Sequence, residues 1–240
     1  YPDSDSVGNQ NLHLIDIRTG EISKFTDYVG KAISFPSWSP NGRFVAYSVK
    51  DTIGELSKLM QLDTELNVTK ELHSGDALYA YPRWNYDGKW LTYHNFYRGN
   101  FRINLLDVDQ RRKVEVATLP GHRSWGPTWD SDKDVLVFQQ EKIAERTVEI
   151  YSLEDDSTWK VTDIRPLFFD WESKARHWAT WSGDSDKVSF FSSITDSRPD
   201  TSFIIATVST QNVSTVESFE KDPQYLIAPV WSQFKDGYVY

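Results

Sequence analysis

Short apolar runs alternate with polar turns along the whole chain, and no stretch keeps an apolar period of 3.6 residues. Runs such as Phe44–Tyr47, Trp90–Tyr93 and Val135–Phe138 each follow a turn rich in Asn, Asp, Gly or Ser. Strand-forming residues on both sides of such a turn are typical of a β-hairpin. The pattern therefore predicts an all-β chain.

The hairpins recur with a regular period. Five of them are built around a tryptophan, at Trp38, Trp84, Trp129, Trp181 and Trp231. A second type of hairpin alternates with them, in residues 11–25, 58–72, 101–117, 148–161 and 203–216. A period of roughly 50 residues is typical of four-stranded propeller blades. The chain begins with a hairpin of the second type and ends with a tryptophan hairpin, so pairing the two ends would leave no exposed sheet edge. We therefore predict one domain, residues 1–240, folded as a five-bladed β-propeller of four-stranded antiparallel blades, with one blade shared between residues 11–26 and 226–240.

The tryptophan hairpins resemble the TolB-like β-propeller repeat, whose pattern is Pro-x-Trp-Ser-Pro-Asp-Gly-Lys followed by an apolar strand. Residues 36–43 (PSWSPNGR) and 82–89 (PRWNYDGK) are near matches, whereas the copies at Trp129, Trp181 and Trp231 depart further from the pattern. The resemblance implies a propeller fold. It leaves the function open, because such repeats occur in periplasmic proteins, peptidase propeller domains and oligogalacturonate lyases. It also implies a periplasmic or secreted bacterial location, although the chain as given carries no export signal.

Composition narrows the classes of function. The formal net charge is −9, which disfavours general nucleic-acid binding, and no apolar run is long enough to span a bilayer. There is no Cys, no Gly-x-Ser-x-Gly motif, and no His spacing typical of a metal site. The acidic run from Asp130 to Asp134 imitates a calcium loop, but Val135 replaces the required Gly and is needed in a strand. We therefore expect no catalytic residue, no metal and no cofactor.

Aromatic and basic residues collect in the connections before the tryptophan strands. Strand connections on a rigid ring commonly carry binding residues, and aromatic faces beside Arg suit sugars, carboxylates or peptide termini. We call the end of the ring that carries these connections the top face. The predicted ligand-binding residues there are Tyr81, His122, Arg123, Trp125, Trp171, Arg176, His177 and Trp178. Alternatively, these aromatic residues pack the loops against one another.

The leading interpretation is a non-enzymatic binding or scaffold module. Its top face would meet a protein, peptide or glycan partner. One alternative is a lyase or hydrolase that acts on an acidic saccharide through His122, Arg123, Arg176 and His177. Another is a propeller domain that belongs to a larger peptidase or sensor protein.

Overall fold

The computed structural model describes residues 2–4, 9–51, 56–116, 123–142, 145–154, 157–164, 180–181, 187–193, 203–209, 215–221, 230–231 and 238–239. These residues form antiparallel β-strands joined by turns, and within these ranges there is no helix. The all-β prediction is therefore confirmed. The chain divides into two compact units, Tyr1–Glu115 and Val116–Tyr240.

The first unit contains three antiparallel sheets. One sheet has three strands, β1 (Pro2–Ser4), β2 (Gln10–Ile15) and β3 (Ile22–Lys24). The next has four strands in chain order, β4 (Lys31–Trp38), β5 (Phe44–Asp51), β6 (Ser57–Asp63) and β7 (Val68–His73). The third repeats this order with β8 (Leu78–Trp84), β9 (Trp90–Tyr97), β10 (Asn100–Asp107) and β11 (Lys113–Glu115).

The second unit continues the same arrangement. Its first sheet consists of β12 (Arg123–Trp129), β13 (Val135–Lys142), β14 (Glu145–Ser152) and β15 (Ser157–Ile164). The next consists of β16 (Thr180–Trp181), β17 (Lys187–Ser193), β18 (Phe203–Ser209) and β19 (Thr215–Lys221). The last described pair is β20 (Val230–Trp231) with β21 (Tyr238–Val239). Four-stranded antiparallel sheets that follow chain order are consistent with a β-propeller.

Sheet β4–β7 is packed on both of its faces. Tyr47 of β5 lies in a buried cluster with Leu12 of β2. Ala46, the neighbouring residue, lies instead in a cluster with Trp84 and Leu91 of the third sheet. Because successive side chains of a strand point to opposite faces, β5 contributes to both clusters. This sheet is therefore covered on both sides within the first unit.

Aspartate side chains shape the turns of the second hairpin type. Asp16 Oδ1 accepts main-chain N–H groups from Arg18 and Thr19, at 2.8 and 3.1 Å. Asp63 and Asp107 repeat this geometry, with N···O distances between 2.8 and 3.1 Å. A carboxylate that satisfies the N–H groups of its own turn mimics a main-chain turn. The alternation of strand and turn along the sequence therefore has a local cause.

The first strand of three sheets contains a β-bulge that the sequence analysis did not predict. In β8, Ala80 pairs with His94 and Arg83 pairs with Thr92. Two residues of β8, Tyr81 and Pro82, therefore lie opposite a single residue of β9. The same irregularity lies at residues 35–36 of β4 and 126–127 of β12. The first residue of each bulge has a positive φ, and the values are 56°, 55° and 56°.

The N-terminal strand β1 is a second feature that was not predicted. Pro2 pairs with Leu12, and Ser4 pairs with Gln10. Over Gln10–Leu12, β1 occupies the edge of β2 that the prediction assigned to residues 226–240. The number of blades and the closure of a ring by the two ends of the chain stay predictions.

Candidate functional site

Two aromatic rings meet at the bulges of neighbouring sheets. The Phe35 and Tyr81 ring centroids are 3.7 Å apart, with 32° between the ring planes. Both residues have left-handed main-chain conformations, with φ of 56° and 55°. A bulky residue rarely adopts this conformation, which costs about 1–2 kcal/mol. Gly126 occupies the equivalent place in β12, so two of the three bulges carry an aromatic ring where glycine fits without strain.

His94 supports the Tyr81 ring from the adjacent strand. The two rings meet edge to face, with centroids 5.2 Å apart. His94 is 2% exposed, and this burial, reinforced by the nearby charge of Arg83, lowers its pKa to about 4. The imidazole is therefore neutral at pH 7.

Arg83 brings a positive charge to the same place. Its Nη1 donates to the main-chain oxygen of Pro82 at 3.0 Å. Burial lowers the pKa of Arg83. We call Phe35, Tyr81, Arg83 and His94 the Tyr81 cluster. Phe35, Tyr81 and Arg83 are partly exposed, so each of these three residues is accessible to solvent in part.

The chemistry of the Tyr81 cluster suits binding. Aromatic faces offer apolar contact area, and a guanidinium binds planar anions in a forked geometry. Among the described residues, no group of three His, Asp or Glu side chains could hold a metal ion. The acidic turn after Trp129 is a hairpin turn. Asp130 is buried there, its Oδ1 accepts the Asp132 N–H at 3.0 Å, and Val135 begins β13.

The predicted binding residues are only partly placed by the structure. Tyr81 lies in the β8 bulge of the first unit. Arg123 begins β12 of the second unit, is half-buried and pairs with Glu141, while the main chain of Trp125 pairs with Gln139. His122, Trp171, Arg176, His177 and Trp178 lie outside the described residues, as does the side chain of Trp125. Whether these residues share a site with Tyr81 stays a prediction.

Sequence reasoning missed Arg83 and His94. Arg83 occupies the variable position of the repeat motif, between Pro82 and Trp84, so the motif itself gives no signal for it. The sequence signal for His94 lies in β9, the strand that follows the bulged strand β8. Ser48, His94 and Gln139 occupy the same register in β5, β9 and β13, opposite the residue before each bulge, and all three are buried. A polar residue that repeatedly follows an apolar run was the available clue.

The tryptophans of the repeat differ in how deeply they are buried. Trp84, Trp129 and Trp181 are each 8% exposed, whereas Trp38 is 47% exposed. Trp38 lines an apolar groove of about 290 Å³ together with Leu12, Leu14, Phe25 and other residues of the first two sheets. The same motif therefore gives a buried indole in one sheet and a half-exposed one in another.

Comparisons with known proteins support the fold. No protein-family model and no curated protein matches the sequence. Among solved structures, TolB from Acinetobacter baumannii aligns with a TM-score of 0.61 and 15% identity over 92% of this chain and 51% of its own. A putative TolB from Agrobacterium tumefaciens aligns with a TM-score of 0.55 and 17% identity, over 68% of this chain and 60% of its own. A puromycin-hydrolyzing peptidase from Mycobacterium tuberculosis aligns with a TM-score of 0.67 and 15% identity, over 90% of this chain and 36% of its own.

These similarities establish a TolB-like, propeller-type fold and no more than the fold, because the identities are low. The chain spans between about a third and three fifths of the length of these three proteins. In the part of the chain that the structure describes, no helix is long and apolar enough to cross a membrane.

Proposed function

We propose that this chain is a non-enzymatic binding module that uses the Tyr81 cluster to hold a protein, peptide or glycan partner. The observation that carries the proposal is the contact between Phe35 and Tyr81, whose ring centroids are 3.7 Å apart beside the charge of Arg83. Both aromatic residues keep a strained main-chain conformation. Strain at a bulge commonly accompanies a functional side chain that the bulge directs outward.

The finer architecture forms part of the same proposal. Five tryptophan hairpins and five hairpins of the second type support a five-bladed ring in which residues 226–240 complete the blade begun by residues 11–26, along the part of the β2 edge beyond Leu12 that β1 does not occupy. Removal of residues 226–240 should then lower the free energy of unfolding measured in urea. An unchanged unfolding midpoint would overturn the closure and leave the Tyr81 cluster untouched. A periplasmic or secreted location is supported by the resemblance to TolB-like repeats alone.

The binding proposal is tested by selection of ligands on the purified chain. A display library of random 12-residue peptides and an array of neutral and acidic glycans are screened in parallel. We expect selected ligands to lose at least tenfold in affinity when Tyr81 is changed to Gly. Tyr86→Ala is the matched control, because Tyr86 is an exposed tyrosine (41%) in the turn after β8.

Two outcomes would contradict the proposal. If no ligand is selected from either collection, the module does not bind these classes of partner. If selected ligands bind the Tyr81→Gly variant as tightly as the native chain, the Tyr81 cluster is not the binding site. Incubation with uronic-acid oligomers and a divalent metal tests the lyase alternative, which would produce an unsaturated product that absorbs ultraviolet light.

A further inference from the structure

Four polar side-chain atoms are buried between sheet β4–β7 and sheet β8–β11. They are Ser48 Oγ, Gln61 Oε1, Asn95 Oδ1 and Asn104 Nδ2, and none of them has a hydrogen-bond partner among the described residues. Ser48, Gln61 and Asn104 are 2%, 3% and 9% exposed, and Asn95 is partly exposed although its Oδ1 atom is buried. A buried polar group without a partner costs free energy, and native proteins rarely contain one.

The register of the strands directs all four side chains into the same interior. A buried apolar cluster joins the two sheets, and each of the four polar residues lies directly opposite one member of it on the neighbouring strand. The pairs are Ser48 with Leu59, Gln61 with Ala46, Asn95 with Tyr79, and Asn104 with Tyr93. Residues that lie directly opposite each other on antiparallel strands point to the same face of the sheet. Each sheet therefore contributes two polar side chains to the interior between the sheets.

The fold does not require polar residues at these positions. When the two sheets are aligned on Trp38 and Trp84, three of the four positions are apolar in the other sheet. Leu105 takes the place of Gln61, Val49 that of Asn95, and Met60 that of Asn104. Leu105 and Val49 are buried, and Met60 packs against an apolar cluster. Polar residues that break the pattern of their own repeat are typical of positions with a role besides folding.

The mixture of donors and acceptors identifies the class of ligand. The amide oxygens of Gln61 and Asn95 accept hydrogen bonds, whereas the Asn104 amide nitrogen donates them. The Ser48 hydroxyl does both. A cation does not complement the N–H group and an anion does not complement the two oxygens, but water both donates and accepts. Tyr93, directly opposite Asn104, is 1% exposed, so the ligand has to be small.

We propose that ordered water molecules are bound between sheet β4–β7 and sheet β8–β11, where they accept from Asn104 and donate to Gln61 and Asn95. Ordered water commonly satisfies buried polar groups that no protein group reaches, and it is costly to remove. The two sheets are then joined by a hydrated polar layer beside their apolar cluster. This inference does not depend on the proposed binding of a partner by the Tyr81 cluster.

The test counts the long-lived water molecules of the native chain and of a variant. Gln61→Leu, Asn95→Val and Asn104→Met are combined, so that each position receives the apolar residue that the other sheet carries there. Magnetic relaxation dispersion of the water oxygen detects water that stays in the protein for longer than the tumbling time. We expect the combined variant to lose the dispersion of at least one water molecule. Its urea midpoint should be unchanged or raised, because the buried polar atoms are removed together with their water.

Asn100→Met is the matched control for the loss of an amide. Asn100 is an exposed asparagine of β10, the strand that also carries Asn104, so its replacement should leave the dispersion unchanged. The three single variants are measured beside the combined one. If the combined variant does not fold because of a steric clash, the single variants that do fold carry the test.

Two outcomes would overturn the inference. If neither the combined variant nor any single variant loses dispersion, no long-lived water depends on these polar groups. If Asn100→Met loses as much dispersion as the combined variant, the loss does not come from the interior between the sheets. The binding module stands in both cases, because its ligands are selected at the Tyr81 cluster. If ligand selection fails while the dispersion falls as expected, the bound water stands and the proposed function does not.

Discussion

Trp84 donates its indole N–H to the main-chain oxygen of Ser37, 3.1 Å away, and so joins sheet β8–β11 to sheet β4–β7. Trp181 makes the same contact with Thr128 at 3.0 Å in the second unit. In both cases the acceptor precedes the tryptophan of the neighbouring sheet, Trp38 or Trp129. The repeat motif therefore encodes a hydrogen bond between sheets as well as a large apolar side chain.

We expect Trp84→Phe to lower the free energy of unfolding by about 2–4 kcal/mol, because it leaves the Ser37 oxygen without this donor and removes buried area. The measurement is urea unfolding followed by far-ultraviolet circular dichroism. Trp38→Phe is the control. Trp38 is half-exposed (47%), so its replacement should cost less than about 1 kcal/mol. Equal costs at the two positions would show that the inter-sheet hydrogen bond contributes little.

The bulge at Tyr81 gives a prediction about main-chain strain. The φ of Tyr81 is 55°, a region that glycine enters freely and alanine does not. Tyr81→Gly should therefore be more stable than Tyr81→Ala by about 1 kcal/mol, although both lose the ring. Thermal unfolding of the two variants measures the difference.

Lys70 provides the comparison for this pair. It is an exposed residue of β7 that pairs in register with Gln61. In a regular strand, alanine is favoured over glycine by about 0.5–1 kcal/mol, so Lys70→Ala should be the more stable variant. If alanine is also preferred at Tyr81, the bulge relaxes when the ring is removed and the strain argument fails.

Much of the fold follows from local rules that the sequence displays. The apolar run Trp90–Tyr93 lies within β9, and the Asp107 turn separates β10 from β11 as the pattern predicts. These features depend on alternation and on hydrogen bonds between near neighbours in the chain. Local rules of this kind predict which segments are strands, and they leave open how those strands pack.

The Tyr81 cluster was less predictable because it depends on register. Two residues oppose one at the bulge, and only the pairing of β8 with β9 shows which two. That pairing places His94 beside Tyr81, and the packing of two sheets brings in Phe35. The exposure of Trp38 has a similar cause, because the burial of an indole depends on packing between sheets: Trp84 lies in a cluster with Ala46 of sheet β4–β7 as well as with residues of its own sheet.

An ion pair links the two turns at one end of sheet β4–β7. Arg43 donates from Nε at 3.0 Å and from Nη2 at 2.7 Å to Asp63 Oδ2, and this contact lowers the pKa of Asp63. Asp63 Oδ1 also holds its own turn. Asp63→Asn should lower the urea midpoint because it removes the charge, and Asp63→Ala should lower it further because it also removes the turn acceptor.

Asp16 separates the two contributions. It holds the same type of turn through Oδ1, at 2.8 Å from the Arg18 nitrogen, and is exposed. Asp16→Asn should leave the midpoint nearly unchanged, whereas Asp16→Ala should lower it. A loss at Asp63→Asn that disappears in 1 M salt would confirm its electrostatic origin, since such salt reduces the screening length to about 3 Å. The prediction is wrong if Asp63→Asn and Asp16→Asn behave alike.

His94 should make stability depend on pH. Burial lowers its pKa from 6.5 to about 4, so between these values the unfolded chain binds a proton that the folded chain does not. Linkage then requires stability to fall as the pH falls through this window, by about 3 kcal/mol for this residue between pH 7 and pH 4. Above about pH 7.5 the residue contributes almost no pH dependence, because it is then neutral in both states.

His94→Gln isolates this contribution, since Gln139 occupies the same register of β13 and a glutamine does not titrate. The free energy of unfolding of both proteins is measured in urea at several values between pH 4 and pH 7. We expect the native chain to lose about 3 kcal/mol more than the variant across this range, because all other carboxylates and histidines titrate in both. Parallel pH profiles would mean that His94 takes up its proton without leaving its buried position, and the neutral histidine beside Tyr81 would have to be abandoned.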